Sequence, residues 1–509
     1  MRAIAPDFRP YEWAASTAEV ARIAGIDESQ VLRFDQNTPA LPLSSSRPAT
    51  VAGALARISG YPGARYGPLQ RAIAEYAGVE PDNVVLGAGA DDLILLCARS
   101  YAGPGDVISV PQTPTYPLYK IAAQLAGAEV GDTDPVLTFL CRPNNPTGSL
   151  DVLADARPLV VDEAYFEYCG VSAVDLTATE EVIVLRTFSK LFALAGARVG
   201  YAIARADVAE ELNGRQSPAP ISSLAADLAI AAIASHPDPG PELEERDRLA
   251  SALRTVGLEP RESHTNFLYV PVEDGVALGD ALIRSGLVVR AYPEAIRISV
   301  RDQADDDLLV DALARCLDQP APEPAPRRAV RAIRATAETR FTTRLALDGA
   351  QRVRVATGAG LYDHFLEQLA FNAGFDLLLE GAGDLEYGDH HTAEDAALAL
   401  GEAVDAALGD RRGIARYGNA VVPMDDAVAS AAVDLGGRAH VALTLALDPG
   451  LAVHVLTSFA TAARATIHVT AEGRDAHHVA EASFKAVGRA LRDAVRVESG
   501  EVPSTKGVL

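Results

Sequence analysis

The stretch DQPAPEPAPRR, residues 318–328, carries proline at every second position from 320 to 326. Each proline removes a backbone donor and fixes φ, so the stretch can neither continue a helix nor join a sheet, and it predicts an extended spacer. Outward from it lie two different chemistries. Residues 1–317 predict one domain and residues 329–509 another, the division a 509-residue chain needs because it exceeds what one hydrophobic core holds. Eight of the ten histidines follow the spacer.

Composition narrows the classes. Apolar residues at 49% and charged residues at 22% describe globular material, and no apolar run approaches the length of a membrane span. The start, MRAIAPDFRPYEWAAST, has no apolar export region, which predicts a cytoplasmic protein. Cys97, Cys141, Cys169 and Cys316 lie far apart with no CxxC, which excludes a disulfide framework and a zinc ribbon. A net charge of −24 argues against a nucleic-acid surface, so anionic substrates must meet local cations. Only four of the 45 basic residues are lysine: Lys120, Lys190, Lys485 and Lys506. In an arginine-rich chain such lysines mark places where Arg cannot serve, and Arg cannot form a Schiff base.

Before the spacer, strand and helix signals alternate. NVVLGAGADDLILLCARSYA (83–102) reads as strand, glycine turn and helix, and DVISVP, YPLYKIAAQLAG, PVLTFLCRPNNPTG, RPLVVDEAY and EVIVLRTFSK continue the pattern. This predicts a mostly parallel α/β sheet covered on both faces, with ligands at the strands' carboxyl ends. The loops there hold Asn145, Asp162, Tyr165, Ser189 and Lys190. Those are the residues a pyridoxal phosphate site needs. A buried carboxylate, Asp162, keeps the cofactor's ring nitrogen protonated; Asn145 and Tyr165 are donors for its phenolic oxygen. Lys190 holds the aldehyde as an imine and then moves protons. Ser189 and Arg198 complete a phosphate cradle with the turn Gly89–Ala90–Asp91, at the start of a helix.

RPNNPTG, VVDEAY and RTFSKLFALAGARVGY resemble the fold-type I aminotransferases, and most of all the histidinol-phosphate aminotransferases, over about residues 30–317. The resemblance implies large and small subdomains and a dimer that shares its active sites. It also implies Tyr116 stacked on the cofactor ring, Tyr61 reaching the partner subunit's cofactor phosphate, Arg297 gripping the amino donor's carboxylate, and Arg290 meeting the substrate phosphate. The family's Asn-Glu-Asn-Pro-Tyr is here DQNTPAL.

After the spacer, His390–His391–Thr392–Ala393–Glu394 recurs as His477–His478–Val479–Ala480–Glu481, each preceded by a further histidine, His364 or His454. Internal duplication is the simplest account, and imidazole with carboxylate suits first-row metals. Helical spacing predicts that the second His and the Glu, at i and i+3, share a face while the first His points elsewhere, so each copy serves two metals.

AETR (337–340), YDHFLEQL, GDHHTAEDAALALGEA, GIARYG, DLGGR, HHVAEASFKA and PSTKGVL resemble imidazoleglycerol-phosphate dehydratase over about residues 328–509. The resemblance implies an α+β domain of two internal βα repeats and a dimanganese pair that binds the substrate imidazole. One metal would take His364, His391, Glu394 and His478; the other His390, His454, His477 and Glu481. Glu338, with Glu481 beside it, would be catalytic, and Arg416, Arg438, Lys485, Ser504 and Lys506 would hold phosphate. It further implies 24-subunit shells with metals at subunit contacts. Departures from the family pattern are Asn372, Val453, Gly388 and Asp426.

Together the two resemblances imply a bifunctional histidine-biosynthesis enzyme. The C-terminal domain would dehydrate imidazole glycerol phosphate, and the N-terminal domain would transaminate the product with glutamate, without nucleic-acid or membrane partners. Two alternatives stay open: a scaffolding C-terminal domain beside one active enzyme, and an N-terminal phospho-amino-acid decarboxylase.

Overall fold

The computed structural model describes residues 8–39, 53–55, 58–63, 66–320, 328–348 and 351–498. Most of the spacer (321–327), Ser504 and Lys506 lie outside these residues. The chain divides into two compact units, Met1–Pro322 and Glu323–Leu509.

The first unit is built on seven strands: β1 (Val84–Gly87), β2 (Val107–Ser109), β3 (Glu129–Val130), β4 (Leu137–Cys141), β5 (Leu159–Asp162), β6 (Val182–Thr187) and β7 (Gly200–Ile203). Their spatial order is β1-β7-β6-β5-β4-β2-β3, and only β7 runs against its neighbours. Strands LTFLC, LVVD and VIVLRT are buried at every position, the uninterrupted apolar run that a sheet covered on both faces demands. Val161, Val184 and Phe188 pack on one face; Ile94, Tyr119 and Phe139 pack on the other. Helices α1 (Ala90–Tyr101) and α2 (Leu118–Ala126) belong to the second layer.

A buried ion pair fixes the ends of the two central strands. Glu163, directly after β5, accepts from Arg186 of β6 at 3.0 Å with both side chains excluded from water, and Ser172 and the Ala173 amide complete its hydrogen bonds. Such a pair contributes little net stability but is costly to break, so it pins the neighbouring Asp162. A smaller antiparallel sheet, β8 (Phe267–Pro271), β9 (Arg290–Tyr292) and β10 (Ala295–Ser299) in the order β9-β10-β8, forms a subdomain with its own core around Leu268, Ile296 and Leu309. Leu32–Arg33 pairs with Leu287–Val288 there, which carries residues 34–39 past β10.

The second unit repeats one pattern twice. Strands β11 (Ala329–Ala335), β12 (Arg340–Ala346) and β13 (Val353–Ala356), helix α3 (Gly360–Ala373), strand β14 (Asp376–Ala382) and helix α4 (His390–Leu408) form the first copy. The second is β15 (Tyr417–Met424), β16 (Ala427–Asp434), β17 (His440–Leu445), α5 (Leu451–Ala462), β18 (Thr466–Glu472) and α6 (Ala476–Ala494). In both sheets the order is first, second, fourth, third, with the same parallel and antiparallel pairings. Burial alternates strictly along β16 and β18, so each sheet turns one face to the helices.

Helix α6 lies so close to β15 that a Cβ added at Gly418 would run into the Ala490 carbonyl oxygen. The obstacle is backbone and cannot swing aside. Gly418→Ala should therefore destabilise this unit by about 1–3 kcal/mol, read as a lower denaturant midpoint for the unit's transition.

Candidate active sites

The carboxyl ends of β1, β4, β5 and β6 converge on a cavity of about 650 Å³. Asp162, at the last position of β5, is buried, and burial pushes its carboxyl up to about 6; the Tyr119 hydroxyl at 2.7 Å and the Ala164 amide at 3.0 Å pull the other way. Lys190, three residues beyond β6, stands over the Tyr165 ring. Burial, then the Arg297 guanidinium, lowers its amine to about 8. Tyr165 accepts a hydrogen bond from Asn37 at 2.9 Å and keeps its own proton to donate. Asn145 accepts from Arg297, which leaves its amide nitrogen as a donor.

The phosphate end is equally defined. Gly89 caps α1 at φ +85°, and a Cβ there would meet the Arg198 guanidinium, so the approach of this arginine to the turn requires glycine. Ala90, Asp91, Ser189 and Arg198 line the cavity at this point. Asp91 bridges Arg198 at 2.9 Å and the Tyr116 hydroxyl at 3.0 Å. Arg290 and Arg297 enter from the small subdomain. The Arg297 Nε is buried with no hydrogen-bond partner among the described residues. A cofactor carrying a phosphate, a ring nitrogen and a phenolic oxygen fits this donor set; a substrate carboxylate fits Arg297.

Several contributors were not legible as site residues. Asn37 is 1% exposed, bonded to Tyr165 and to Ser299. Tyr119 supports Asp162, and Tyr11 and Trp13 of the N-terminal arm line the cavity mouth. The signal for Asn37 was the departure DQNTPAL itself. Tyr61, expected at the partner subunit's cofactor, is 97% exposed and lines a separate depression near the helix Ser223–Ala234.

In the second unit the two repeats exchange candidate metal ligands. His364 of the first repeat meets His477 and Glu481 of the second, and His454 of the second meets His390 and Glu394 of the first. Within one chain these groupings differ from the ligand sets expected from sequence. The helical phase differs too, because the first His and the Glu, at i and i+4, converge: His390 lies 3.7 Å from Glu394 and His477 lies 3.4 Å from Glu481. The second histidines are held apart. His391 Nδ1 is 2.9 Å from Asp384 and 3.5 Å from Glu338; His478 Nδ1 is 2.5 Å from Asp426. Both imidazoles are pushed up by these carboxylates. The His454 Nε2 is buried without a hydrogen bond although 3.2 Å from Glu394, as a lone pair aimed at a cation would be. Two His and one Glu suit a divalent first-row metal.

Among the described residues, Arg416 and Arg438 do not gather with Lys485 in one chain. Lys485 donates to Glu481 at 2.8 Å, beside one cluster. Arg416 is paired with Asp434, and Arg438 adjoins Thr466, at the opposite ends of β16 and β18. That is a sheet length of about 20 Å from the Asp426 hairpin. Among the departures, Asp426 orients His478, while Asn372 only caps back to the Gln368 carbonyl.

Residues 29–313 match the family model for aminotransferase class I and II, and residues 357–491 match that for imidazoleglycerol-phosphate dehydratase. The dehydratase of Methanothermobacter thermautotrophicus is 49% identical over 184 residues, spanning 35% of this chain and 95% of that relative. The chain belongs to both families. Among solved structures, histidinol-phosphate aminotransferase from Sinorhizobium meliloti, in complex with pyridoxal-5'-phosphate, aligns with a TM-score of 0.54 at 23% identity, over 62% of this chain and 98% of that one. L-threonine-O-3-phosphate decarboxylase from Porphyromonas gingivalis aligns with a TM-score of 0.52 at 20% identity, over 57% and 100%. Two reactions on one fold leave the aminotransferase unit's substrate to be argued from its residues.

The lowered Lys190 amine gives a sign. Its nucleophilic, neutral form becomes available as pH rises through about 8, well below the usual lysine range. The rate at which the apoprotein takes up pyridoxal phosphate covalently, followed by absorbance, should rise to a plateau with a midpoint near 8, and Lys190→Ala should show no covalent phase.

Proposed function

We propose that the chain catalyses two consecutive steps of histidine biosynthesis. The dehydratase unit converts imidazole glycerol phosphate to imidazole acetol phosphate, and the aminotransferase unit converts that ketone to histidinol phosphate with glutamate as donor, in the cytoplasm. The observation that carries this reading is the covalent pairing of the reciprocal His–His–Glu clusters with the Asp162–Lys190 cavity in one chain. The product of the dehydratase unit's family reaction is a keto phosphate, and Arg290, Arg297 and Lys190 in the other unit's cavity suit a keto phosphate and an amino acid.

In the aminotransferase unit, Asp162 would hold the ring nitrogen of pyridoxal phosphate, and Asn145 and Tyr165 its phenolic oxygen. The Gly89–Ala90–Asp91 turn, Ser189 and Arg198 would take its phosphate. The cofactor supplies an electron sink for the substrate's α-carbon bonds. Lys190, with its amine near neutrality, accepts and returns the proton at that carbon; Arg297 holds the α-carboxylate, and Tyr116 closes the ring face. In the dehydratase unit, each cluster would hold one divalent ion, with manganese the proposed metal, and the ions supply Lewis acidity to the substrate imidazole. Glu338, beside His391, is placed to move the proton released there.

The segregation of His391 and His478 from both clusters supports ligation across subunits, with each completing a cluster of a neighbouring copy. Arg416 and Arg438, distant from Lys485 within one chain, would likewise serve a neighbour's phosphate. The assembly is therefore a metal-dependent shell carrying aminotransferase dimers.

Purified protein given imidazole glycerol phosphate, glutamate, pyridoxal phosphate and Mn²⁺ should yield histidinol phosphate by mass spectrometry, and Lys190→Ala should accumulate imidazole acetol phosphate. No consumption of imidazole glycerol phosphate in metal-loaded protein would sink the dehydratase assignment, and carbon dioxide release from a phospho-amino acid would replace the transaminase assignment. Chelation, or His391→Ala with His478→Ala, should reduce the particle by light scattering from a megadalton-scale shell toward small oligomers. A dimer in the presence of Mn²⁺ would refute shared ligation.

A further inference from the structure

Tyr119 lies in α2, three residues after the Tyr116 expected against the cofactor ring, and no part of the chemistry above uses it. Its side chain is fully buried, stacked on Phe139 of β4 with ring centroids 5.3 Å apart and planes 17° from parallel. Its hydroxyl donates to Asp162 Oδ2 at 2.7 Å, with the Cys141 thiol as its second polar neighbour. The other carboxylate oxygen is met by the Ala164 amide at 3.0 Å. These two donors hold a carboxylate that is 4% exposed.

We propose that Tyr119 is a positioning residue for the cofactor's ring nitrogen: its buried hydroxyl fixes the Asp162 carboxylate and keeps it ionised, so that the nitrogen opposite stays protonated. The argument starts from burial, which favours the neutral carboxyl and would leave the nitrogen without an anionic partner. A hydrogen bond donated to the ionised form opposes that, and in a site this dry it is stronger than at a surface. The phenol is a dependable donor because burial and the neighbouring Asp162 hold its own proton on. The remaining groups facing Asp162 offset one another: Asp91 from α1 opposes ionisation, Lys190 after β6 favours it, and Cys141 of β4 stays a neutral thiol. Tyr119 is the strongest of the influences that favour the charged form. The Phe139 ring packs flat on the Tyr119 ring and adds to the core without touching the carboxylate.

The inference rests on the proposed cofactor site, and the test separates the two. Wild-type holoenzyme and Tyr119→Phe are loaded with pyridoxal phosphate labelled with nitrogen-15, and the ring-nitrogen resonance is followed against pH, with Asp162→Asn as the reference lacking the anion. Removing one charged hydrogen bond should lower the midpoint for loss of the ring proton by about one to two pH units. The cofactor dissociation constant at neutral pH should rise by about tenfold or more. Phe139→Leu, which loosens the stack and keeps the hydroxyl, should lower the melting temperature with little shift of the nitrogen midpoint. Equal midpoints in wild type and Tyr119→Phe would overturn the proposal, as would a Phe139→Leu shift as large as that of Tyr119→Phe. Wild-type protein that binds no cofactor would overturn the site and the inference together. Should Tyr119→Phe release the cofactor, unchanged melting of its apoprotein with a weakened dissociation constant supports the proposal, and a collapsed melt shared with Phe139→Leu overturns it.

Discussion

A carboxylate placed in a dry interior is unstable as an anion, and the aminotransferase unit is arranged around keeping one there. Asp162 ends a strand buried on both faces, so solvent cannot supply its hydrogen bonds. Protein groups must replace them. The Ala164 amide and the Tyr119 hydroxyl do so directly, and the Glu163–Arg186 pair holds the strand end that aims the carboxyl into the cavity. The opposite requirement acts on Lys190, where burial and a nearby guanidinium favour the uncharged amine. One cavity therefore maintains an anion and a near-neutral base within reach of the same ligand, which is the division of labour that acid–base chemistry at a carbon demands.

The dehydratase unit meets its constraint by symmetry instead. Two copies of one supersecondary pattern face each other, and each contributes one histidine to the other's His–Glu pair. The second histidines are held at Nδ1 by aspartates, and the Nε2 of His478 lies 3.5 Å from Asp425. The copies are not equal: Lys485 adjoins Glu481, while the corresponding position after Glu394 is Leu398. Burial opposes ionisation of Glu481, but Lys485 and the two neighbouring histidines hold its carboxyl below the usual range.

The α/β sheet, the duplication and the identities of the histidines were legible because each leaves a periodic or repeated trace. Apolar runs of four to six residues mark the central strands, and HHxxE announces itself twice. What was not legible is tertiary. Whether His390 or His391 joins Glu394 depends on side-chain rotamers that helical phase alone does not determine, since i+3 and i+4 are both neighbours. That the third ligand comes from the other repeat depends on how two sheets pack. Asn37 and Tyr119 are far in sequence from the side chains they steer, by 128 and 43 residues. Nothing local distinguishes them from an arm residue and a core aromatic. Arg416 and Arg438 carried a motif, but only the strand lengths reveal how far they lie from Lys485.

The reciprocal ligand exchange also bears on how this unit could change over time. A single repeat standing alone owns a lone histidine and a His–Glu pair that cannot reach each other's cluster; two identical repeats meeting about a dyad would have made two equivalent centres. Joined in one chain, the halves differ along most of their length yet each cluster keeps two His and one Glu. A change in either half damages a centre whose remaining ligands are encoded in the other, so the two halves are bound to a common fate long after their sequences have parted.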